Sequence, residues 1–107
     1  MLFHELAEKI ITELRKLLNE DIIVVDTKGI IIASTDPERI HTFHEGALIT
    51  SRQKEKLIIT EADQTILKGV KAGINLPIFF QGNVVGVIGI TGNPDDVSPY
   101  GEIIRKM

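Results

Sequence analysis

Two pairs of short apolar segments constrain most strongly how this chain can fold. Residues 22–25 and 30–33 flank a polar turn that ends in Gly29, and residues 74–80 and 84–91 flank a second polar turn. Isoleucine and valine dominate these segments, as is typical of β-strands. Because both connections are short and contain a glycine, the sequence predicts two antiparallel hairpins.

Helical signals precede the first hairpin and follow the second. Residues 3–18 carry apolar side chains at helical spacing and charged side chains on the other side. This pattern predicts an amphipathic opening helix. Ser98 and Pro99 combine an N-cap residue with a proline at the first helical position. They predict the start of a last helix that continues to Met107.

The middle of the chain also carries helix-start signals. An Asp-Pro pair at residues 36–37 predicts a short helical turn. A T-x-x-E capping box at residues 42–45 predicts a helix that runs to about Lys54. An N-cap signal at Thr60 predicts one more short helix. We therefore expect only helices between the two hairpins.

The order of these elements predicts the fold class. Helix, hairpin, helices, hairpin and helix give antiparallel strand pairs with helices packed to one side, which is an α+β architecture. We expect residues 1–107 to form one such domain. PAS, Cache and GAF sensors share this layout, as do profilin-like and longin-like interaction domains. The layout alone therefore does not choose a function.

The composition excludes several classes of function. The chain has 107 residues and no Cys, which rules out disulfides, thiol catalysis and Cys-ligated metal clusters. Acidic residues outnumber basic ones by 15 to 12. The nearest basic cluster, Arg52, Lys54 and Lys56, is short and is interrupted by Glu55. We expect no contact with nucleic acid by this chain, and no cofactor is implied.

The hydropathy pattern argues against secretion and against a membrane span. The N-terminus places charged residues where the apolar core of a signal peptide would lie. Residues 72–94 carry no charge, but Asn75, Pro77 and the turn at 81–83 divide them into two strands. Together with the absence of Cys, this favours a cytoplasmic protein.

The segment 32–48 concentrates side chains suited to binding an anion. Ser34, Arg39, His44 and Glu45 all lie near the predicted start of the second helix. Free N–H groups at a helix start carry partial positive charge, and a guanidinium fits a carboxylate. The alternative is that Glu45 only caps the helix while Arg39 and the histidines face solvent.

Gly46 and the histidines leave further alternatives open. A glycine in a helix costs about 1 kcal/mol relative to alanine, so either a ligand or a strand is expected to approach Gly46 closely. His41, His44 and Glu45 allow a metal site, but no complete ligand spacing such as H-E-x-x-H is present. The chain also lacks a nucleophile elbow and a P-loop, and we predict that it is not an enzyme.

Asn75 is the odd polar residue in the first strand of the second hairpin. Alternation places it on the same face as Pro77, where it either ends the strand or lines a pocket. On the next strand, the small Gly89 leaves space where a large side chain would fill it. Lys71 and Gly73 bring a cation and a backbone N–H to the same region. A pocket over the sheet is therefore predicted.

Two long stretches of the chain resemble a known family. IASTDPERIHTFHEGAL and GVKAGINLPIFFQGNVVGVIGITGNPDDVSPYGEIIRKM contain HEGAL, GINLPI and a glycine-rich strand in order. They resemble the sugar diacid recognition domain at the N-terminus of bacterial carbohydrate diacid regulators. The resemblance covers nearly the whole chain. It implies a PAS-like or Cache-like sensor of a cytoplasmic transcription factor, with a DNA-binding helix-turn-helix further along a longer protein.

The resemblance also implies an effector and a set of ligand-binding residues. Effectors of the family are small hydroxylated acids such as glucarate, galactarate or glycerate. His41 stands at a position where glycine is frequent in the family. The residues carried over as ligand-binding candidates are Ser34, Arg39, His44, Glu45, Gly46, Ala47, Gly73 and Asn75.

Chemistry and resemblance combine in one binding hypothesis. Arg39, His44 and the amides of residues 45–47 would hold one carboxylate. Glu45 and Asn75 would bind the hydroxyls, and Ser34 and Thr91 would complete the wall. Lys71 or the Gly73 amide would hold a second carboxylate. The competing hypothesis is a dimerisation module without a small-molecule ligand, in which the opening helix and the sheet contact a second copy. The two are compatible, because a sensor often transmits binding through a helix at a dimer interface.

Overall fold

A computed structural model describes residues 4–105 of the chain. Its helices and strands are α1 His4–Arg15, β1 Ile22–Val25, β2 Ile31–Ser34, α2 Glu45–Gln53, β3 Leu57–Ile59, β4 Gly73–Phe80, β5 Asn83–Thr91 and α3 Pro94–Arg105. Two short 3₁₀ helices, Pro37–Arg39 and Ala62–Thr65, complete the order. The predicted α+β class is confirmed. The predicted outer ends of the first and last helices, Phe3 and Met107, lie outside the described residues.

The five strands form one antiparallel sheet in the order β2-β1-β5-β4-β3. Both predicted hairpins are present, and β1 pairs with β5 to join them. The expectation of only helices between the hairpins was wrong, because β3 pairs with the start of β4. A strand of three residues is too short to show a period of its own, and its pairing partner lies far along the sequence.

Helices cover both faces of this sheet, which corrects the prediction that they pack to one side. On one face, Ala7 and Leu14 of α1 and Val97 of α3 pack against Ile74 and other strand residues. On the other face, Ala47 of α2 packs among strand side chains of opposite alternation. The physical reason lies in β1, whose four residues are all buried. A continuous apolar strand needs cover on both sides.

The last helix begins earlier than predicted. Asn93 accepts a hydrogen bond from the Asp95 N–H through Oδ1 at 2.9 Å, and Pro94 occupies the first helical position. The N-cap and proline signals are the ones expected at Ser98 and Pro99, but they occur first at Asn93 and Pro94. Pro99 consequently lies inside α3.

Candidate functional site

His44 is the residue that starts α2. Its Nδ1 accepts a hydrogen bond from the Ala47 N–H at 2.9 Å, so the imidazole caps the helix. A neutral ring that accepts at Nδ1 carries its proton on Nε2. The predicted capping box at residues 42–45 was wrong, because the Thr42 hydroxyl donates to the carbonyl of Arg39. Histidine is not a typical N-cap residue, and the sequence offered no local signal for this role.

The His44 side chain is enclosed, and it is neutral at physiological pH. It is 2% exposed. Burial lowers the pKa of His44 from its ordinary value of 6.5 to about 4, and the nearby positive charge of Arg39 acts in the same direction. His44 therefore offers a ligand an N–H donor at Nε2 and no positive charge.

Asn75 lies in β4 beneath the first turn of α2, and it is also 2% exposed. Its Nδ2 is buried and has no hydrogen-bond partner among the described residues. A buried amide without a partner carries a desolvation cost of about 1–3 kcal/mol. The donor thus lies at the head of a helix, enclosed and without an acceptor among the described residues.

Gly46 and Gly89 make room for this amide. A Cβ on Gly46 would lie 2.9 Å from Asn75 Nδ2 and 2.7 Å from Ile59 Cδ1. A Cβ on Gly89 would lie 2.9 Å from Asn75 Oδ1 and 2.7 Å from Ile23 Cγ1. Both glycines are therefore explained by close packing, and the space predicted at Gly89 is filled by Ile23 and Asn75.

A segment that we call the strap, residues 66–72, crosses the start of α2. The Glu45 N–H donates to the carbonyl of Lys68 at 2.9 Å, and the Lys68 N–H donates to Glu45 Oε1 at 2.8 Å. The next residue, Gly69, has a φ of +72° and lies so close to Phe43 that a Cβ would be 2.0 Å from its carbonyl oxygen. Only glycine fits there without strain.

The hydrogen bonds of the strap limit which backbone N–H groups at the start of α2 are available to a ligand. The amides of Glu45 and Ala47 already have partners, so the predicted carboxylate contact by the amides of residues 45–47 would require these two hydrogen bonds to be exchanged. Among the described residues, the Gly46 N–H has no acceptor. One backbone donor at the positive end of α2 is thus available.

His44, Glu45, Gly46, Ala47 and Asn75 form a cluster at the start of α2. Arg39 lies at the edge of this cluster and is half-buried. Its Nη2 donates to the carbonyl of Gly69 at 2.7 Å, so the guanidinium holds the strap in place. Burial lowers the pKa of Arg39 from its ordinary value, whereas the carboxylates of Asp36 and Asp21 act in the opposite direction. The side chain keeps its positive charge at neutral pH.

Ser34 is not brought to the cluster. It pairs with Ile23, which pairs with Gly89, which in turn pairs with Asn75. At a strand spacing of about 4.8 Å, Ser34 lies roughly 14 Å from Asn75 along this row. Its Oγ accepts a hydrogen bond from the Asp36 N–H at 2.9 Å and so shapes the turn that leads to Arg39.

Gly73 and Lys71 also lie apart from the cluster. Gly73 is paired in the sheet with Ile59 and Thr91, and a Cβ there would lie 2.0 Å from the carbonyl oxygen of Ile90. Lys71 lines a separate cavity of about 320 Å³ together with Thr91. The structure therefore brings together Arg39, His44, Glu45, Gly46, Ala47 and Asn75, and it gives Gly73 a packing role.

The backbone at His41 fits the glycine expected there. His41 has a φ of +73°, in the left-handed region that glycine adopts most readily. Its side chain is exposed, away from the buried His44.

Within residues 4–105, no group of three or more His, Asp or Glu side chains is placed to hold a metal ion. In the same part of the chain, no helix is long and apolar enough to cross a membrane.

The fold is that of a small α+β domain. The cluster encloses polar groups at the N-terminus of α2. Residues 2–107 match the family described as "Putative sugar diacid recognition". An uncharacterized protein, YsfB, from Bacillus subtilis (strain 168) is 52% identical over 95% of this chain and 28% of its own length. The carbohydrate diacid regulator of Escherichia coli (strain K12) is 41% identical over 94% of this chain and 26% of its own length.

This chain belongs to the sugar diacid recognition family. An uncharacterized protein from Haemophilus influenzae is 34% identical over 92% of the chain and 27% of its own length. The chain thus spans about a quarter of the length of the relatives it matches. The family is one of recognition domains and not of enzymes.

Proposed function

We propose that this chain is the ligand-sensing domain of a transcriptional regulator, of PAS-like or Cache-like type, and that it binds a small hydroxylated acid at the start of α2. The observation that carries the proposal is the buried Asn75 amide, which has a free donor beneath the helix N-terminus. Family membership supports an acid of the glucarate, galactarate or glycerate type.

Arg39 is the group that would bind the carboxylate. Its Nη2 donates to a neutral carbonyl, that of Gly69. A carboxylate forms shorter and stronger hydrogen bonds with a guanidinium than a neutral carbonyl does, so a bound acid would compete for Arg39. The positive end of α2 adds the Gly46 N–H.

The remaining donors and acceptors suit the hydroxyl groups of such an acid. Asn75 Nδ2 and the Nε2–H of the neutral His44 are donors, and the Glu45 carboxylate is an acceptor beside them. Mixed donors and acceptors around one cation are what an open-chain hydroxy acid requires. Because Lys71 lies in a separate cavity, one carboxylate is anchored at this cluster.

The wider role follows from the relatives. The Escherichia coli relative is named a carbohydrate diacid regulator, and our chain corresponds to about a quarter of it. We propose that the complete protein is cytoplasmic and binds DNA through a helix-turn-helix outside this chain. The sensing domain itself would contact the acid and not the nucleic acid, because its charge is net negative.

Thermal melting against a panel of acids tests the proposal. We expect glucarate, galactarate, glycerate or tartrate to raise the melting temperature and neutral sugars to leave it unchanged. A ligand at 100 times its dissociation constant adds about 2.7 kcal/mol to the free energy of unfolding, which is readily measured in a domain of this size. Unchanged melting with every acid would remove the sensor proposal.

Two substitutions compare the cluster with its periphery. Arg39→Ala removes the charged anchor and is expected to weaken acid binding roughly 10- to 100-fold, as the loss of a charge-assisted hydrogen bond does. Ser34→Ala, three strands away from Asn75, is expected to change affinity by about twofold or less. Isothermal titration calorimetry with the acid found by melting measures both. Equal affinities in the two variants would remove Arg39 from the site.

A further inference from the structure

The strap lies directly on the residues that we assign to the acid. A Cβ on Gly69 would lie 3.6 Å from the Cα of His44, so the two backbones are in contact. His44 and Asn75 are both 2% exposed. An acid from solvent therefore reaches neither side chain while the chain is arranged in this way, and a covering segment has to move before the acid binds.

The hydrogen bonds that hold the strap use the same groups that the acid would use. Arg39 Nη2 donates to the carbonyl of Gly69 at 2.7 Å, as it would donate to a carboxylate. The Glu45 N–H, at the positive end of α2, donates to the carbonyl of Lys68 at 2.9 Å. Glu45 Oε1 accepts the Lys68 N–H at 2.8 Å, as it would accept a hydroxyl. The backbone of the strap thus presents the acceptors and the donor of a hydroxy acid.

The rest of the strap makes little apolar contact with the domain. Val70 is buried, whereas Ile66, Lys68, Gly69 and Lys71 are exposed. Segments that bury little apolar surface and whose hydrogen bonds lie near solvent open locally at a low free energy. The strap therefore has the properties of a segment that opens while the sheet stays folded.

Gly69 is the residue that permits the closed position of the strap. It has a φ of +72°, and a Cβ there would lie 2.0 Å from the carbonyl oxygen of Phe43. This contact is with backbone, which cannot rotate away as a flexible side chain can. A side chain at residue 69 consequently opposes the closed strap, and it changes none of the groups that we assign to the acid.

We propose that the strap is an intramolecular competitor of the acid, because the backbone groups of Lys68 and Gly69 occupy Arg39 and Glu45 until the acid replaces them. This inference rests on the acid site proposed above. Since the closed strap and the bound acid exclude each other, the measured affinity for the acid includes the cost of opening the strap. Acid binding therefore releases the strap and changes the surface of the domain around α2.

Gly69→Ala is expected to bind the acid about tenfold more tightly than the unchanged chain. If the strap is open in about 10% of unchanged molecules, a variant that is always open has an apparent dissociation constant lower by about this factor. A purely structural role of the strap gives the opposite sign or no change, because the loss of structural contacts does not improve binding.

Val70→Ala opens the strap in a second way and adds no backbone strain. Val70 is 8% exposed, and the substitution removes part of the apolar contact that anchors the strap. The closed strap is weakened less than by Gly69→Ala, so we expect a gain in affinity of about threefold. This variant tests the proposal even if Gly69→Ala does not fold.

Each variant has a matched control elsewhere in the chain. Gly82, in the turn between β4 and β5, has a φ of +80°, and no atom of the described residues lies within 4 Å of an added Cβ. Gly82→Ala is therefore expected to add similar backbone strain and to leave acid affinity unchanged. Val97 is buried on the other face of the sheet. Val97→Ala is expected to lower the melting temperature and to leave acid affinity unchanged.

Amide hydrogen exchange measured by NMR without acid reports the opening of the strap. The amides of Glu45 and Lys68 are expected to exchange faster in Gly69→Ala and Val70→Ala, by a larger factor than the amides of β5. Isothermal titration calorimetry with the acid found by melting gives the affinities, and circular dichroism checks that each variant is folded.

The outcomes separate this inference from the acid site on which it rests. Acids that bind neither the unchanged chain nor the opened variants would remove the acid site itself. Acids that bind the unchanged chain, but bind Gly69→Ala and Val70→Ala no more tightly, would overturn the competitor and leave the acid site in place. Unaltered exchange at Glu45 and Lys68 in both variants would overturn the competitor as well.

Discussion

The domain is expected to lose about 3 kcal/mol of stability between pH 6.5 and pH 4 through His44 alone, since burial moves the pKa of His44 from 6.5 to about 4. The folded state keeps the imidazole neutral, because its Nδ1 accepts the Ala47 N–H. A proton on Nδ1 would set two donors against each other and remove the cap of α2. The cost is large for a domain of this size, whose total stability is typically 5–15 kcal/mol.

The sign follows from proton binding in the two states. Between pH 4 and 6.5 the unfolded chain holds a proton on this histidine that the folded chain does not hold. The free energy of unfolding therefore rises with pH across this interval. The contribution of His44 is complete above pH 6.5 and is lost as the pH falls toward 4. Urea unfolding at a series of pH values measures it.

His44→Asn separates this effect from the titration of carboxylates. The Asn side chain can accept the Ala47 N–H as an N-cap does, but it does not titrate in this range. We expect the variant to lose the His44 part of the pH dependence and to retain the part that carboxylates cause. His4 and His41 are exposed and remain in both proteins, so they cancel in the comparison. An unchanged pH profile would show that His44 is not the titrating group.

Asn75→Leu is expected to raise the stability of the ligand-free domain by about 1–3 kcal/mol and to abolish acid binding. The substitution replaces an amide that has a buried, unpartnered Nδ2 by an apolar side chain with the same branching. It also removes the donor that we assign to the ligand. Chemical unfolding without ligand and melting with the acid panel measure the two effects.

Thr50→Val is the matched control for this prediction. Thr50 is buried in α2, but its hydroxyl donates to the carbonyl of Gly46 at 2.9 Å, so its hydrogen-bonding need is met. Loss of that hydrogen bond is expected to cost about 1 kcal/mol. A higher free energy of unfolding for Asn75→Leu and a lower one for Thr50→Val would mark Asn75 as a residue kept for binding at the expense of stability. An Asn75→Leu variant that is destabilised and whose melting temperature still rises with the acids would contradict the assignment.

Sequence reasoning anticipated the positions and roles of some binding candidates better than those of others. Gly46 and Asn75 drew attention because each breaks a local pattern, and the structure places the two side by side. Arg39 and His44 were identified as donors, but the role of His44 as a helix cap was not foreseen. Ser34 was predicted from its place in the segment 32–48, and Gly73 was predicted from its backbone N–H near Asn75. The strand order and packing set them apart, because Ser34 lies three strands from Asn75 and Gly73 is held in the sheet.

Local sequence by itself determined the two hairpins, the opening helix and the α+β class. These features depend on turn residues and on the periodicity of neighbouring side chains, which act over a few positions of the chain. Tertiary structure decided the third strand, the cover on both faces of the sheet and the strap over α2. Each of these rests on contacts between distant residues, such as Gly69 with Phe43 or Leu57 with Asn75. Burial also made His44 neutral and left the Asn75 amide without a partner, because both depend on which groups the fold excludes from water.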